Sequence, residues 1–403
     1  MHIIGGGMSG MLMGYYLKQK GIDFTLYEIK SKIGGLLQTV QTPYGIAEAA
    51  ANGFVWNQEM QQICDTLKVK IIAADAAAKK RFFYTKGSLK TQPVSKLALL
   101  NALRKMVFNP HKKFETVLDF AQYYLDDEAT YHLLEPALGG IYAAPIKDLS
   151  FALVMSFINQ NKNIGRQLIQ KAMSMSAESK GTQGFDGGWA TFNKAMVSYL
   201  KAHIKFNASV PSIALNENYI FTTPAHITKN YFTQVATTCH ALSMIKYQKT
   251  LSVTLFYNKS QLSSMPIGFG CLVPRSEKMA SLGVLFNHCI FPANYTKNYA
   301  SFTFIINPDF YHIYKNYNDS ELTTKLNDEL KLIIKLPLTP SLCKRFEHDN
   351  GIPLYAPHLE NQLSQLRKDF FYMNGFAIFG NYTGAISIRN MAESARLFVA
   401  SNF

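Results

Sequence analysis

Residues 1–35 read MHIIGGGMSGMLMGYYLKQKGIDFTLYEIKSKIGG, and the class of the fold turns on them. Met1 to Ile4 read as the end of a buried strand, and Gly5-Gly6-Gly7-Met8-Ser9-Gly10 sets Gly5, Gly7 and Gly10 at G-x-G-x-x-G spacing. Gly5 permits the tight strand-to-helix turn, Gly7 lets the backbone approach a pyrophosphate, and Gly10 lets the helix pack close to the sheet. Met8 and Ser9 complete the candidate phosphate-binding turn. A helix through Leu12–Lys20 stops at Gly21, and Ile22 to Tyr27 alternates as a second strand ending in Glu28. That acid sits where a ribose 2′-hydroxyl is held, and it repels a 2′-phosphate. Strand, glycine turn, helix, strand and acid together form the βαβ context of a dinucleotide-binding unit.

The rest of the composition bounds the class. The chain has 403 residues, 48% of them hydrophobic, enough for a large core and for two or three domains. Five cysteines are scattered without a CxxC pair, which points away from a zinc ribbon or a disulfide framework and toward a reducing cytosol. No metal site is expected. A net charge of +14 favours contact with something acidic: anionic lipid, a carboxylate-bearing substrate or nucleic acid. Basic residues are not interleaved with an RNA- or DNA-binding motif, so nucleic acid is not expected. No apolar run reaches the roughly 18 residues of a spanning helix. A start at MHII also leaves no room for a signal sequence. The expectation is a cytoplasmic protein, soluble or peripheral on the inner face of a membrane.

Ile33-Gly34-Gly35 follows Glu28 closely, and E-x5-G-G after a dinucleotide unit resembles the flavoprotein oxidases of the amine oxidase superfamily. The resemblance implies FAD, with Gly34 and Gly35 beside its ribose and pyrophosphate. Lys32 stands where the family usually has Arg, keeping the charge but not the fork geometry. Such flavoproteins return to the nucleotide domain at their C-terminus. Here Phe376 to Phe379 reads as a short strand, Gly380-Asn381 as a turn near Ile386, and Met391 onward as a helix, which makes a second flavin-facing element. Covalent members tether the flavin through a C-terminal Cys, and nothing after Cys343 is Cys. The resemblance therefore implies non-covalent FAD.

EPALGGIYAAPIKDLS (135–150), GFGCLVPRSEKMASLGVLFNHCIFP (268–292) and FAIFGNYTGA (376–385) are similar, in order and spacing, to the oxygen-dependent protoporphyrinogen oxidases. Phe269, Cys271 and Val273 alternate, as do Leu282, Val284 and Phe286, so the middle stretch reads as two strands joined by the charged turn Arg275-Ser276-Glu277. The resemblance implies a tetrapyrrole against Leu272 and Leu285 on the opposite face, a ring-stacking Phe304 on the next strand, a backbone contact at Gly140, and a propionate partner at Lys90 in GSLKTQP. It also implies an adenine contact at Val210. Read without it, Leu272, Leu285 and Phe304 are plain core residues and Lys90 is a solvated loop charge. The sequence departs from the family where Tyr-Ala-Gly-Asp-Pro becomes Tyr142-Ala143-Ala144-Pro145-Ile146 and where Glu48-Ala49-Ala50-Ala51 replaces Glu-x-Gly-Pro.

The expected architecture is α/β: a Rossmann-like FAD-binding domain from segments 1–60, 185–240 and 350–403, a helical insertion over 85–184, and a mixed-sheet substrate domain over 241–349. Within the insertion, KLALLNALRKMVFNPHKKF (96–114) is apolar on one face with Arg104, Lys105, Lys112 and Lys113 toward its end. It fits either a helix packed on its own domain or a membrane-surface element. The function expected is an FAD oxidase that converts protoporphyrinogen to protoporphyrin with O2. The alternatives are an oxidase of the same superfamily with an amine or secondary-metabolite substrate, and a non-catalytic porphyrin- or flavin-binding homologue. No residue is assigned as a general acid or base.

Overall fold

The structure, a computed structural model, describes the chain except residues 179–180, 211–212, 215–216 and 373–374. Five parallel strands form the first sheet, in the order Ile204–Lys205, Thr25–Tyr27, His2–Ile4, Tyr219–Phe221, Phe376–Ile378. The first strand of the chain is thus the central one, flanked by strands from distant segments. The second strand starts at Thr25, three residues later than the alternation predicts. Against this sheet packs the Met8–Gln19 helix, buried from Met8 through Tyr15 and again at Leu17. The Ile388–Asn402 helix covers its outer side through Met391, Ala392, Ala395 and Val399.

A seven-stranded mixed sheet forms the second layer system, in the order Leu342–Pro353, Tyr247–Asn258, Tyr299–Ile306, Ser281–Phe286, Gly270–Leu272, Arg81–Thr85, Ser88–Lys90. All neighbours are antiparallel except Gly270–Leu272 with Arg81–Thr85. One face is sealed by the Asp319–Ile334 helix, whose Leu322, Leu326, Leu330 and Ile333 recur at helical spacing toward the sheet. That helix begins in a reciprocal cap between Asn318 and Glu321. Two expected boundaries shift. Residues 81–90 belong to this sheet although the insertion was expected to start at 85, and Leu342–Pro353 carries the sheet past 349.

The helical region contains Lys96–Phe108, Val117–Tyr124, Glu135–Tyr142 and Ile164–Glu178. The first of these ends six residues before Phe114, because Asn109 precedes Pro110 and leaves the helical region.

Candidate active site

The first glycine turn is built as the spacing predicts. Gly5 has φ +106°, a region that suits glycine, and a Cβ there would sit 2.9 Å from Thr223 Cγ2. A Cβ on Gly10 would overlap the Gly5 carbonyl oxygen, so helix and strand touch backbone to backbone. Gly7 differs. Its Cβ would meet nothing nearer than Gly35 Cα at 3.9 Å. Gly7 and Gly34 are bridged, and Gly34 N–H donates to the Gly6 carbonyl at 2.8 Å, so the second glycine pair forms the facing lip of a cleft. No side chain caps the Met8–Gln19 helix, so the backbone N–H groups of Met8, Ser9 and Gly10 supply its positive end. A cleft that one side chain would fill, beside an uncapped helix N-terminus, fits a dinucleotide diphosphate.

Glu28 is buried, and its carboxylate accepts Gly6 N–H at 2.9 Å and Lys30 N–H at 2.8 Å. Asn207 N–H and Ala208 N–H donate to the carbonyls of Lys30 and Glu28, which brings Val210, itself buried, to this end of the cleft. Lys32 lies exposed at the rim. From the C-terminal return, a Cβ on Gly380 would stand 4.0 Å from Ser9 Oγ, and Ser9 Oγ donates to Met391 Sδ at 3.3 Å. The Asn381 carbonyl is held by Tyr355 Oη at 2.6 Å, and Ile386 packs half-buried behind the turn. Gly5, Gly7, Gly10, Gly34, Gly35 and Glu28 therefore lie together at one end of the parallel sheet, with Gly380 beside Ser9.

On the mixed sheet the pairing sets which side chains share a face. Lys90, Phe83, Leu272, Gly283, Ile305 and Ser252 fall in one transverse row. Arg81, Gly270, Leu285, Thr303 and Thr254 make the next row on the same face. A Cβ on Gly140 would lie 3.1 Å from Leu272 Cδ2, so the Glu135–Tyr142 helix runs across this face and needs a glycine there. Lys90, Gly140, Leu272 and Leu285 are thus brought together.

Phe304 is not. It pairs with Val284 and Val253, fully buried on the opposite face among Leu322, Leu326 and Leu330. Its neighbours Thr303 and Ile305 occupy the face on which a ring-stacking residue was expected, because side chains alternate along a strand.

Two further residues have surroundings to which the sequence reading assigned no role. Arg81 stands on the same sheet face as Leu272 and Leu285, with its guanidinium 4.3 Å over the Phe269 ring. Partial desolvation there holds its pKa below the ordinary value. The alternation of Arg81, Phe83 and Thr85 was the available signal. Glu48 lies at the seam between the two sheets, 4% exposed, accepting Thr39 Oγ1 at 2.7 Å and Trp189 N–H at 3.1 Å. Burial pushes its carboxyl up to about 7 against the lowering effect of both hydrogen bonds. Next to it, the Ala49 carbonyl accepts from His348 Nε2 at 3.0 Å and Ser252 Oγ at 3.4 Å, which fastens this segment to the Leu272 and Leu285 face of the mixed sheet.

Residues 3–67 match the family of NAD(P)-binding Rossmann-like domains. Over 96% of this chain and 90% of the relative, the sequence is 21% identical to protoporphyrinogen oxidase 2, chloroplastic/mitochondrial, of Arabidopsis thaliana. A solved structure assigned as a protoporphyrinogen oxidase of Exiguobacterium superposes with a TM-score of 0.80 at 15% identity, covering 99% of this chain and 97% of that one. Reduced UDP-galactopyranose mutase superposes with a TM-score of 0.76 at 13% identity, covering 99% and 93%. The chain is thus similar to protoporphyrinogen oxidases along nearly its whole length and shares its mixed α/β fold with these solved structures.

Proposed function

We propose that this chain is an FAD-dependent oxidase that dehydrogenates a carboxylate-bearing tetrapyrrole, protoporphyrinogen, with O2 as acceptor. FAD is the cofactor and is held without a covalent bond. The observation that carries the reading is the composition of one sheet face: Leu272 and Leu285 under Gly140, edged by Lys90 and Arg81, and joined to the nucleotide cleft at Ala49.

Bound FAD would supply the hydride acceptor and the route by which electrons reach O2. The chain supplies the rest. Gly7, Gly35 and the N–H groups of Met8 and Ser9 hold the diphosphate, while Glu28 holds the ribose. The leucine face excludes water and sets the plane of the macrocycle. Lys90 and Arg81 fix its rotation through the propionates, with Arg81 the more directional of the two because guanidinium matches carboxylate in a fork. Binding is thereby spent on orientation, which for a hydride transfer is the main task left to the protein.

A second reading, an oxidase of the same superfamily with another substrate, is favoured by one observation. On the Tyr299–Ile306 strand, Thr303 and Ile305 rather than an aromatic ring share the face of Leu272 and Leu285. O2 consumption measured with protoporphyrinogen and with a panel of amines separates the two. Turnover of amines alone would reject the tetrapyrrole.

The protein is also proposed to dock on anionic lipid from the cytoplasmic side. In the Lys96–Phe108 helix only Ala98 and Ala102 are buried, while Leu97, Leu100 and Phe108 are 66%, 63% and 78% exposed. Arg104, Lys112 and Lys113 lie on or just after it. No helix among the described residues is long and apolar enough to cross a membrane.

A further inference from the structure

Away from the nucleotide cleft, the short helix Asn287–Ile290 sets His288 and Cys289 on the wall of a cavity of about 320 Å³ that also includes Met265, Ile267, Lys259 and Asp75. Cys289 Sγ and His288 Nε2 are 3.4 Å apart. The other ring nitrogen, Nδ1, is 3.1 Å from the Ser301 carbonyl oxygen. A carbonyl only accepts, so Nδ1 carries the ring proton and Nε2 turns its lone pair toward the sulfur. Burial holds His288 down at about 4, so the imidazole is neutral in the ligand form. Burial also pushes the Cys289 thiol up, partly offset by a hydrogen bond from the Gly268 backbone, so the pair is not a preformed nucleophile.

We propose that Cys289 and His288 form a binding site for a soft monovalent d10 cation, Cu(I) or its analogue Ag(I), with the Met265 thioether on the same cavity wall as third donor. Bonds of about 2.3 Å to sulfur and 2.0 Å to nitrogen, at roughly 105–120° between them, separate the two donors by about 3.4–3.7 Å. The observed spacing already matches. Thiolate, imidazole and thioether are the donors that soft ions select, and the Ser301 carbonyl fixes the histidine tautomer as an outer-shell partner does.

Charge decides between ions. One thiolate with a monovalent ion and a neutral imidazole leaves no net charge in a half-buried site, whereas a divalent ion would leave +1 beside Lys259. Asp75, the carboxylate on this wall, is already engaged by Ala77 N–H. Among the described residues no three His, Cys, Asp or Glu side chains could together hold a metal, so a four-coordinate zinc-type centre has no place here. On binding, the S–H bond breaks, a sulfur–metal bond forms and one proton goes to solvent. No electron is transferred.

The test is an anaerobic titration of the full-length holoprotein with Cu(I) in competition with bicinchoninate. Wild type and Cys239→Ser are expected to hold one equivalent. Cys289→Ser and His288→Gln are each expected to weaken binding at least tenfold, with circular dichroism and melting temperature unchanged, and Met265→Leu several-fold. Because one thiol proton is displaced, affinity should rise about tenfold per pH unit between pH 6 and 8. A Cu(I) affinity untouched by Cys289→Ser, or one independent of pH, would overturn the site. No change in Met265→Leu would remove the thioether from it.

Discussion

Gly7 faces Gly35 across the nucleotide cleft, and a Cβ placed on Gly7 would come no closer than 3.9 Å to the Gly35 Cα. Space that is open to one carbon in the protein itself, yet narrow enough for two backbones to touch a ligand from both sides, separates two glycine substitutions that sequence alone treats as equivalent. Gly7→Val is expected to fold, since its Cβ meets no clash, and to purify without yellow colour because the side chain occupies the path of the diphosphate. Gly10→Val drives a side chain into the Gly5 carbonyl and is expected to fail to fold. Flavin absorbance against the circular dichroism signal checks both. Soluble Gly7→Val with a full complement of FAD would remove the cleft from the cofactor site.

The substrate face gives a graded expectation. Lys90→Ala and Arg81→Ala should each raise KM for protoporphyrinogen several-fold with FAD content unchanged, since a partly exposed ion pair is worth up to about 1 kcal/mol. Arg81→Lys should recover less than the charge alone would suggest, because the fork geometry is lost. Steady-state kinetics on FAD-replete protein supplies the test. Equal kcat and KM in Arg81→Ala and wild type would take Arg81 out of substrate binding.

Phe304→Ala should behave as a core deletion. Its ring lies against the Asp319–Ile334 helix and not on the substrate face, so a loss of about 3–5 kcal/mol of stability is expected, with KM unchanged in the fraction that remains folded. Chemical denaturation and kinetics on the same preparation settle it: a raised KM without a stability loss would return the ring to the substrate face.

That residue also shows how far the sequence could be read. The nucleotide turn was legible because its glycines answer to local geometry: Gly5 to a positive φ and Gly10 to a backbone contact, each encoded within a few residues. The parity of a strand is not local. SFTFII alternates equally well with either set of residues inward, and only pairing with Ser281–Phe286, including its irregular register near Gly283, decides that Phe304 goes to the helix-backed core. Arg81 was missed for the same reason: Arg81–Thr85 joins the substrate sheet through a parallel pairing with a strand nearly 190 residues away. The Lys96–Phe108 helix was ambiguous because amphipathicity fixes that a helix has an apolar face, not what that face meets.

The exposed leucines yield a lipid expectation. The protein should co-sediment with vesicles containing phosphatidylserine but not with phosphatidylcholine alone, and salt should weaken the association. Leu100→Glu together with Phe108→Glu should abolish it without altering FAD content. Sedimentation equal on both vesicle types would leave the apolar face without its proposed occupant.

Glu48 makes stability depend on pH in a direction opposite to most carboxylates. Its folded pKa, about 7, lies above the ordinary 4.5, so the folded state holds the proton more tightly than the unfolded chain does. The contribution is fully present below about pH 4.5 and is lost as pH rises through 7. A shift of this size corresponds to about 3 kcal/mol, on the order of a few kcal/mol for a site as closed as this one. Gln keeps an acceptor for Trp189 N–H and carries no charge, so Glu48→Gln should match wild type near pH 5 and be the more stable protein at pH 8. Parallel urea titrations at the two pH values provide the comparison. Unfolding midpoints that stay together at pH 8 would mean that Glu48 ionises without cost, with water or a cation reaching the seam beside Thr39 and Trp189.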